Sequence, residues 1–138
     1  MTYTELHARS AFSFLEGASI PEELASVCAA RGMTAMALLD RDGVYGAPRF
    51  YQAAKKGGSL QAHLGAEVTS VGGWRYPLLV QSREGYQNLC RLITRMKLRA
   101  PKKGEGCVEA VQAGIRTCCR DHGQLHQPAT AGTAVTAQ

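Results

Sequence analysis

Five consecutive apolar residues, Ala35 to Leu39, end in an acid at Asp40. Side chains alternate along a strand, so a run that is apolar at every position must be buried on both faces. This predicts a strand covered by helices on both sides. Its flanks agree. Upstream, YTELH (3–7) alternates and reads as a short strand ending at His7, and FSFLEGAS leads into a helix start. There Ser19 is the expected N-cap, Pro21 sits in the first turn and Glu22 lies three residues after the cap. Leu24, Val27 and Cys28 form the apolar stripe, and Gly32 ends the helix.

Downstream, Gly43 and Gly46 require a loop, and a short helix from Pro48 to Lys56 stops at Gly57-Gly58. AHLGAEVT (62–69) is a third strand with Glu67 near its end. Gly72-Gly73 marks a hairpin, and WRYPLLVQ is the return strand. Ser82 then caps a helix with Glu84 in its first turn. Tyr86, Leu89, Cys90, Ile93 and Met96 share one face of that helix, and Arg91, Arg95 and Arg99 share another. The order β-α-β-α-β-β-α implies an α/β fold with a mostly parallel sheet, open or closed into a barrel. Three or four strands are too few to close a barrel, so an incomplete barrel is expected. Its unpaired edge and uncovered apolar faces predict self-association or poor solubility.

The text changes at residue 107. Residues 1–106 carry the strand and helix patterns, whereas 107–138 are short of large apolar residues and rich in Ala, Thr, Gln and Gly, which reads as a disordered tail. A shifted reading frame or an early stop near this point would account for the break. Cys118, Cys119, His122 and His126 fall within this tail without the two separated clusters that structural zinc requires, and read as accidental. The five cysteines form no disulfide frame. Cys28 and Cys90 read as reduced, small core residues. No apolar run approaches the roughly 18 residues of a membrane span, and no secretory signal opens the chain, so a cytoplasmic location is expected.

The net charge is +5, and residues 107–138 contribute nothing to it. Much of the excess lies in RLITRMKLRAPKK, where Arg91, Arg95, Lys97, Arg99, Lys102 and Lys103 occur without an acid. Such a run can touch phosphate or an acidic partner, or can simply be a solvated helix face running into a basic loop.

His7, Asp40 and Glu67 each stand at or near the carboxyl end of an expected strand, where active sites of parallel α/β folds form. One imidazole and two carboxylates could hold Zn²⁺ or Mn²⁺. Equally, strand-end acids cap helices or pair with arginines, and Arg9 and Arg41 are close in sequence. His63 has no evident partner, and no phosphate-binding glycine loop is present.

The segments ELHARSAFSFLEGAS, ALLDRDGVYGAPRF, LGAEVT and REGYQNLCRLITRMKLRAPK, spanning about residues 3–106, resemble the PHP (polymerase and histidinol phosphatase) domain of bacterial DNA polymerase III alpha subunits. The resemblance is closest to the error-prone branch. It implies a distorted β/α barrel, incomplete here, within an enzyme that copies damaged DNA in translesion synthesis and repair. Mg²⁺ would serve that polymerase at palm carboxylates absent from this chain. The family's first metal motif reads His-x-His, and here it is His7-Ala8-Arg9. The second reads Asp-His, and here it is Asp40-Arg41. Glu67 matches the third. Arginine has no lone pair for a metal, so Arg9 and Arg41 stand at replaced ligand positions. The resemblance thus implies a remnant without metal or catalytic residues, in which guanidinium groups pair with the carboxylates. It implies as partners the rest of a polymerase chain and, through it, DNA. Two other readings stand beside this one. One is a metal-dependent phosphoesterase or 3′–5′ exonuclease. The other is a non-catalytic nucleic-acid-binding module, for which no aromatic stacking platform accompanies the basic run.

Overall fold

In a computed structural model of the chain, residues 3–101 and 106–108 are described. Lys102, Lys103 and the segment 109–138, with Cys118, Cys119, His122 and His126, lie outside the described residues. The elements are β1 (Glu5–Ala8), α1 (Pro21–Ala30), β2 (Ala35–Arg41), α2 (Ala47–Gly57), β3 (Gln61–Thr69), β4 (Arg75–Leu79) and α3 (Arg83–Arg99). This is the expected β-α-β-α-β-β-α order. The strands form one sheet in the order β1-β2-β3-β4, curled like half a barrel. The first three run parallel, and β4 returns antiparallel to β3.

Two apolar clusters fix the helices. Met36 and Leu38 of β2 pack with Ala25 and Cys28 of α1 and with Phe50 and Ala54 of α2. Ala66, Val68 and Leu78 pack with Leu89, Ile93 and Met96 of α3. Asp40 pairs with Ala66 and Ala66 with Leu78 in register, so both clusters occupy the same face of the sheet. Helices therefore cover β2 on one side rather than on two. On the other side the buried Leu39 faces Gly65, its register partner. A Cβ at Gly65 would lie 3.0 Å from Leu39 Cγ and 2.2 Å from the Leu78 carbonyl oxygen. Bare backbone at Gly65 lets the strands approach and seats Leu39 without a helix above it.

Two local expectations need correction. Ser19 does not cap α1: the N-cap is Ile20, with no side-chain hydrogen bond. The Ser19 carbonyl instead accepts from the Ala11 amide at 2.8 Å, tying down the loop after β1. Pro21 at the helix start has no N–H to satisfy, and Glu22 and Glu23 face the positive end of the helix. Val27 is half exposed, and α1 buries Pro21, Ala25 and Cys28 instead. Elsewhere the local chemistry reads true. Gly58 closes α2 in the left-handed region at φ +70°, and Ser82 Oγ accepts from the Gly85 amide at the start of α3. Val108 is buried in the α3 cluster and exchanges backbone hydrogen bonds with Thr69 and Val71, so the chain continues to pack just past residue 106. No helix among the described residues is long and apolar enough to cross a membrane.

Candidate functional site

Asp40 and Glu67 stand at neighbouring strand ends but on opposite faces of the sheet. Glu67 pairs in register with Arg41, and Asp40 with Ala66. Because successive side chains alternate, this one-residue offset sends the two carboxylates to opposite sides. The structure therefore brings His7 to Glu67 and leaves Asp40 out.

Glu67 is buried, and its charge is met from three directions. His7 Nε2 and Arg9 Nη2 each lie 2.6 Å from Glu67 Oε2. Arg75 Nη1, from β4, lies 3.4 Å from Glu67 Oε1. A second carboxylate, Glu16, extends the cluster from the loop after β1. It receives Arg41 Nη1 at 2.7 Å and Arg75 Nη2 at 2.9 Å, and Arg9 Nη1 approaches to 3.3 Å. Arg41 Nε also lies 3.6 Å from Asp42, whose carboxylate accepts from the Thr69 amide and hydroxyl. The result is a lattice in which Arg9 and Arg75 each bridge Glu16 and Glu67. It ties the β1 loop, β2, β3 and β4 together at one rim of the sheet.

Burial pushes the Glu67 carboxyl up, but hydrogen bonds and charge from Arg9 and His7 outweigh it and hold the group below the usual carboxylate range. At Glu16 burial likewise opposes, and Arg75, Arg41 and Arg9 together hold it low. A carboxylate whose folded pKa is depressed adds stability above its unfolded value, and that stability is lost as pH falls through the folded value. The urea midpoint should therefore stay flat from neutral pH to about 5 and fall below the ordinary glutamate value of 4.5. Glu16→Gln should lower the neutral-pH midpoint and shrink the acid drop. An unchanged acid limb in that variant would show that Glu16 contributes nothing through its charge.

Asp40 makes a separate, buried corner. Its Oδ1 accepts from the Ser10 amide at 2.9 Å and from Ser10 Oγ and Ser13 Oγ at 2.8 and 2.9 Å. Its Oδ2 accepts from the Gly46 amide at 3.0 Å, at the start of α2. The arginine contribution there is a backbone one: the Arg41 amide donates to Ser13 Oγ at 3.0 Å. His63 lies far from both carboxylates along β3, lining an open groove of about 840 Å³ with Leu6, Gln81, Arg83 and Tyr86. Sequence reasoning missed Glu16, Arg75, Ser10 and Ser13. Among the described residues, no three His, Cys, Asp or Glu side chains gather as a metal ion requires. The donor set does not suit one either: guanidinium groups have no lone pair, and they occupy the oxygens of both glutamates.

Residues 5–127 match the family model described as the PHP domain. This chain belongs to the PHP domain family. The PHP chain is 44% identical over 129 residues to an error-prone DNA polymerase of Anaeromyxobacter sp., covering 83% of this chain and 11% of the relative. It is 47% identical over 102 residues to that of Dechloromonas aromatica, covering 74% and 10%. With the error-prone DNA polymerase of Mycobacterium tuberculosis it shares 40% identity over 116 residues, covering 76% and 10%. The chain thus spans about a tenth of the length of the curated relatives it matches. Among solved structures, one described as a metal-dependent phosphoesterase of Bifidobacterium adolescentis aligns at a TM-score of 0.56 and 21% identity, over 70% of this chain and 34% of that one. An amidohydrolase of Chromobacterium violaceum, holding sulfate and no metal, aligns at 0.50 and 22%, over 69% and 33%. At these identities the likeness shows the fold.

Proposed function

We propose that this PHP chain is a structural portion of an error-prone DNA polymerase, and that its former metal corner now works as an ion-pair lock. The carrying observation is the position of Arg9 Nη2, 2.6 Å from the Glu67 oxygen that His7 also reaches. A permanent cation held against a buried carboxylate supplies the charge compensation an ion otherwise brings, without a coordination site for water. Arg9, Arg41 and Arg75 thus fix the loop and strand ends instead of activating a nucleophile. Nucleotidyl transfer, lesion copying and the Mg²⁺ they need belong to the remainder of the parent chain, with which this portion associates.

The competing reading, a PHP phosphoesterase or exonuclease, needs water activated on bound metal. The test is release of nitrophenol from bis(p-nitrophenyl) phosphate by the purified chain with added Mn²⁺ or Zn²⁺, alongside its metal content after dialysis. We expect background rates and substoichiometric metal. Turnover that requires Mn²⁺ and disappears in His7→Ala would overturn the structural reading.

A further inference from the structure

The charge of the described chain is divided sharply. Residues 3–82 contain seven Arg or Lys and seven Asp or Glu, so the body is neutral. On that body most arginines are matched: Arg9, Arg41, Arg49 and Arg75 all lie in ion pairs. Helix α3 is different. It carries Arg83, Arg91, Arg95, Lys97 and Arg99 against the single acid Glu84, a surplus of four charges on 17 residues.

The surplus is also ordered. Leu89, Ile93 and Met96 bury one side of α3. Arg91 and Arg95 are exposed and stand one turn apart on a side of α3 turned away from that core. At 1.5 Å per residue, successive guanidinium groups leave the helix about 6 Å apart. Among the described residues Arg91 bonds only the Asn88 side chain, and Arg95 has no carboxylate in ion-pair range. Two permanently charged forks one helical turn apart suit a phosphodiester backbone, since a guanidinium can take two phosphate oxygens at once.

We propose that the exposed face of α3 binds the phosphate backbone of DNA without reading its sequence. One exposed ring, Tyr45, lies 5.6 Å from Lys97 Nζ, and the exposed Leu98 adds no second; a single ring is no platform for successive bases, so affinity comes mainly from charge and is tuned by salt. DNA as the partner rests on placing the chain in a polymerase, but the two can fail separately: phosphodiesterase turnover would remove the structural reading and leave salt-dependent binding untouched.

The test is fluorescence anisotropy of the full chain with labelled 20-nucleotide single-stranded and duplex DNA, from about 25 to 200 mM KCl. Each phosphate contact contributes about 0.7 to the salt slope for single strands and about 0.9 for duplex. Arg91→Gln/Arg95→Gln should therefore lower the slope by about 1.5 and weaken binding about tenfold at low salt. The control Lys55→Gln/Lys56→Gln removes the same charge from exposed positions of α2, and should leave the slope unchanged. Which DNA form binds more tightly identifies the form the face meets. Absent binding at 25 mM, or an equal loss in the α2 control, overturns the proposal. So does tighter binding of poly-aspartate than of DNA, which gives the face to an acidic protein.

Discussion

Exchanging Arg9 and Arg41 together for histidine should convert the ion-pair lock into a metal site. The double variant is expected to keep about one Zn²⁺ or Mn²⁺ per chain through exhaustive dialysis, whereas the unaltered chain keeps none. Arg41 and Glu67 are register partners on adjacent parallel strands, and His7 already touches Glu67. An imidazole at 41 would stand one strand spacing, about 4.8 Å, from Glu67 and on the same face. The substitution also removes two permanent cations from around Glu16 and Glu67. Arg75 alone then remains against two carboxylates, and it meets Glu67 only at 3.4 Å. Uncompensated carboxylates near imidazole nitrogens are what a borderline divalent ion needs. A dissociation constant of micromolar or below, about −8 kcal/mol, is the expected scale. Arg9→Ala/Arg41→Ala creates the same charge vacancy without ligands and should bind at least about a hundredfold more weakly. Isothermal titration and metal analysis read both. A double-histidine variant with an unchanged circular dichroism spectrum and no retained metal would show that more than these two side chains separates this corner from a metal centre.

The architecture was legible because it rests on periodicity and punctuation. The five-residue apolar run, the glycines at 57–58 and 72–73 and the Ser82 cap each act through the local backbone, and each did so where expected. The site was legible only in part. His7, Arg9 and Glu67 come together because they sit at strand ends that converge in any such sheet. Asp40 was grouped with them because it too ends a strand, yet whether it faces Glu67 depends on a one-residue register that spacing does not encode. Glu16 lies in an irregular loop, and Arg75 lies on the antiparallel return strand, so neither has a spacing relation to the others. The balance of seven cations and seven anions over residues 3–82 was the available sign that such partners exist within the body. The seat of Leu39 against Gly65 was likewise hidden, since a fully apolar run looks the same whether a helix or a close backbone covers it.

Asp40→Ala should cost about 4 kcal/mol or more, a large share of what a small domain has. The side chain is 1% exposed, and it receives two backbone amides, Ser10 and Gly46, and two hydroxyls. Removing an acceptor from a buried N–H costs about 1–3 kcal/mol each, and both Ser10 and Gly46 are buried. Asp40→Asn should be milder, about 2 kcal/mol, since one oxygen remains but an amide NH₂ must face a second N–H. Circular dichroism in urea reads both, and an Asp40→Ala loss below about 1 kcal/mol would remove the corner as a stabilising unit. Gly46→Ala probes the same corner from the other side. Its Cβ would stand 2.6 Å from Asp40 Oδ2 and 2.8 Å from Ser10 Oγ, so the parent chain should lose several kcal/mol through the displaced carboxylate. In the Asp40→Ala background the carboxylate clash is gone and Ser10 Oγ, 2.8 Å from that Cβ, is free to turn away, so the same alanine should cost clearly less. Such non-additivity is what contact between the two groups requires. Additive losses would mean that Gly46 is intolerant for reasons of its own, and that the carboxylate does not hold the start of α2.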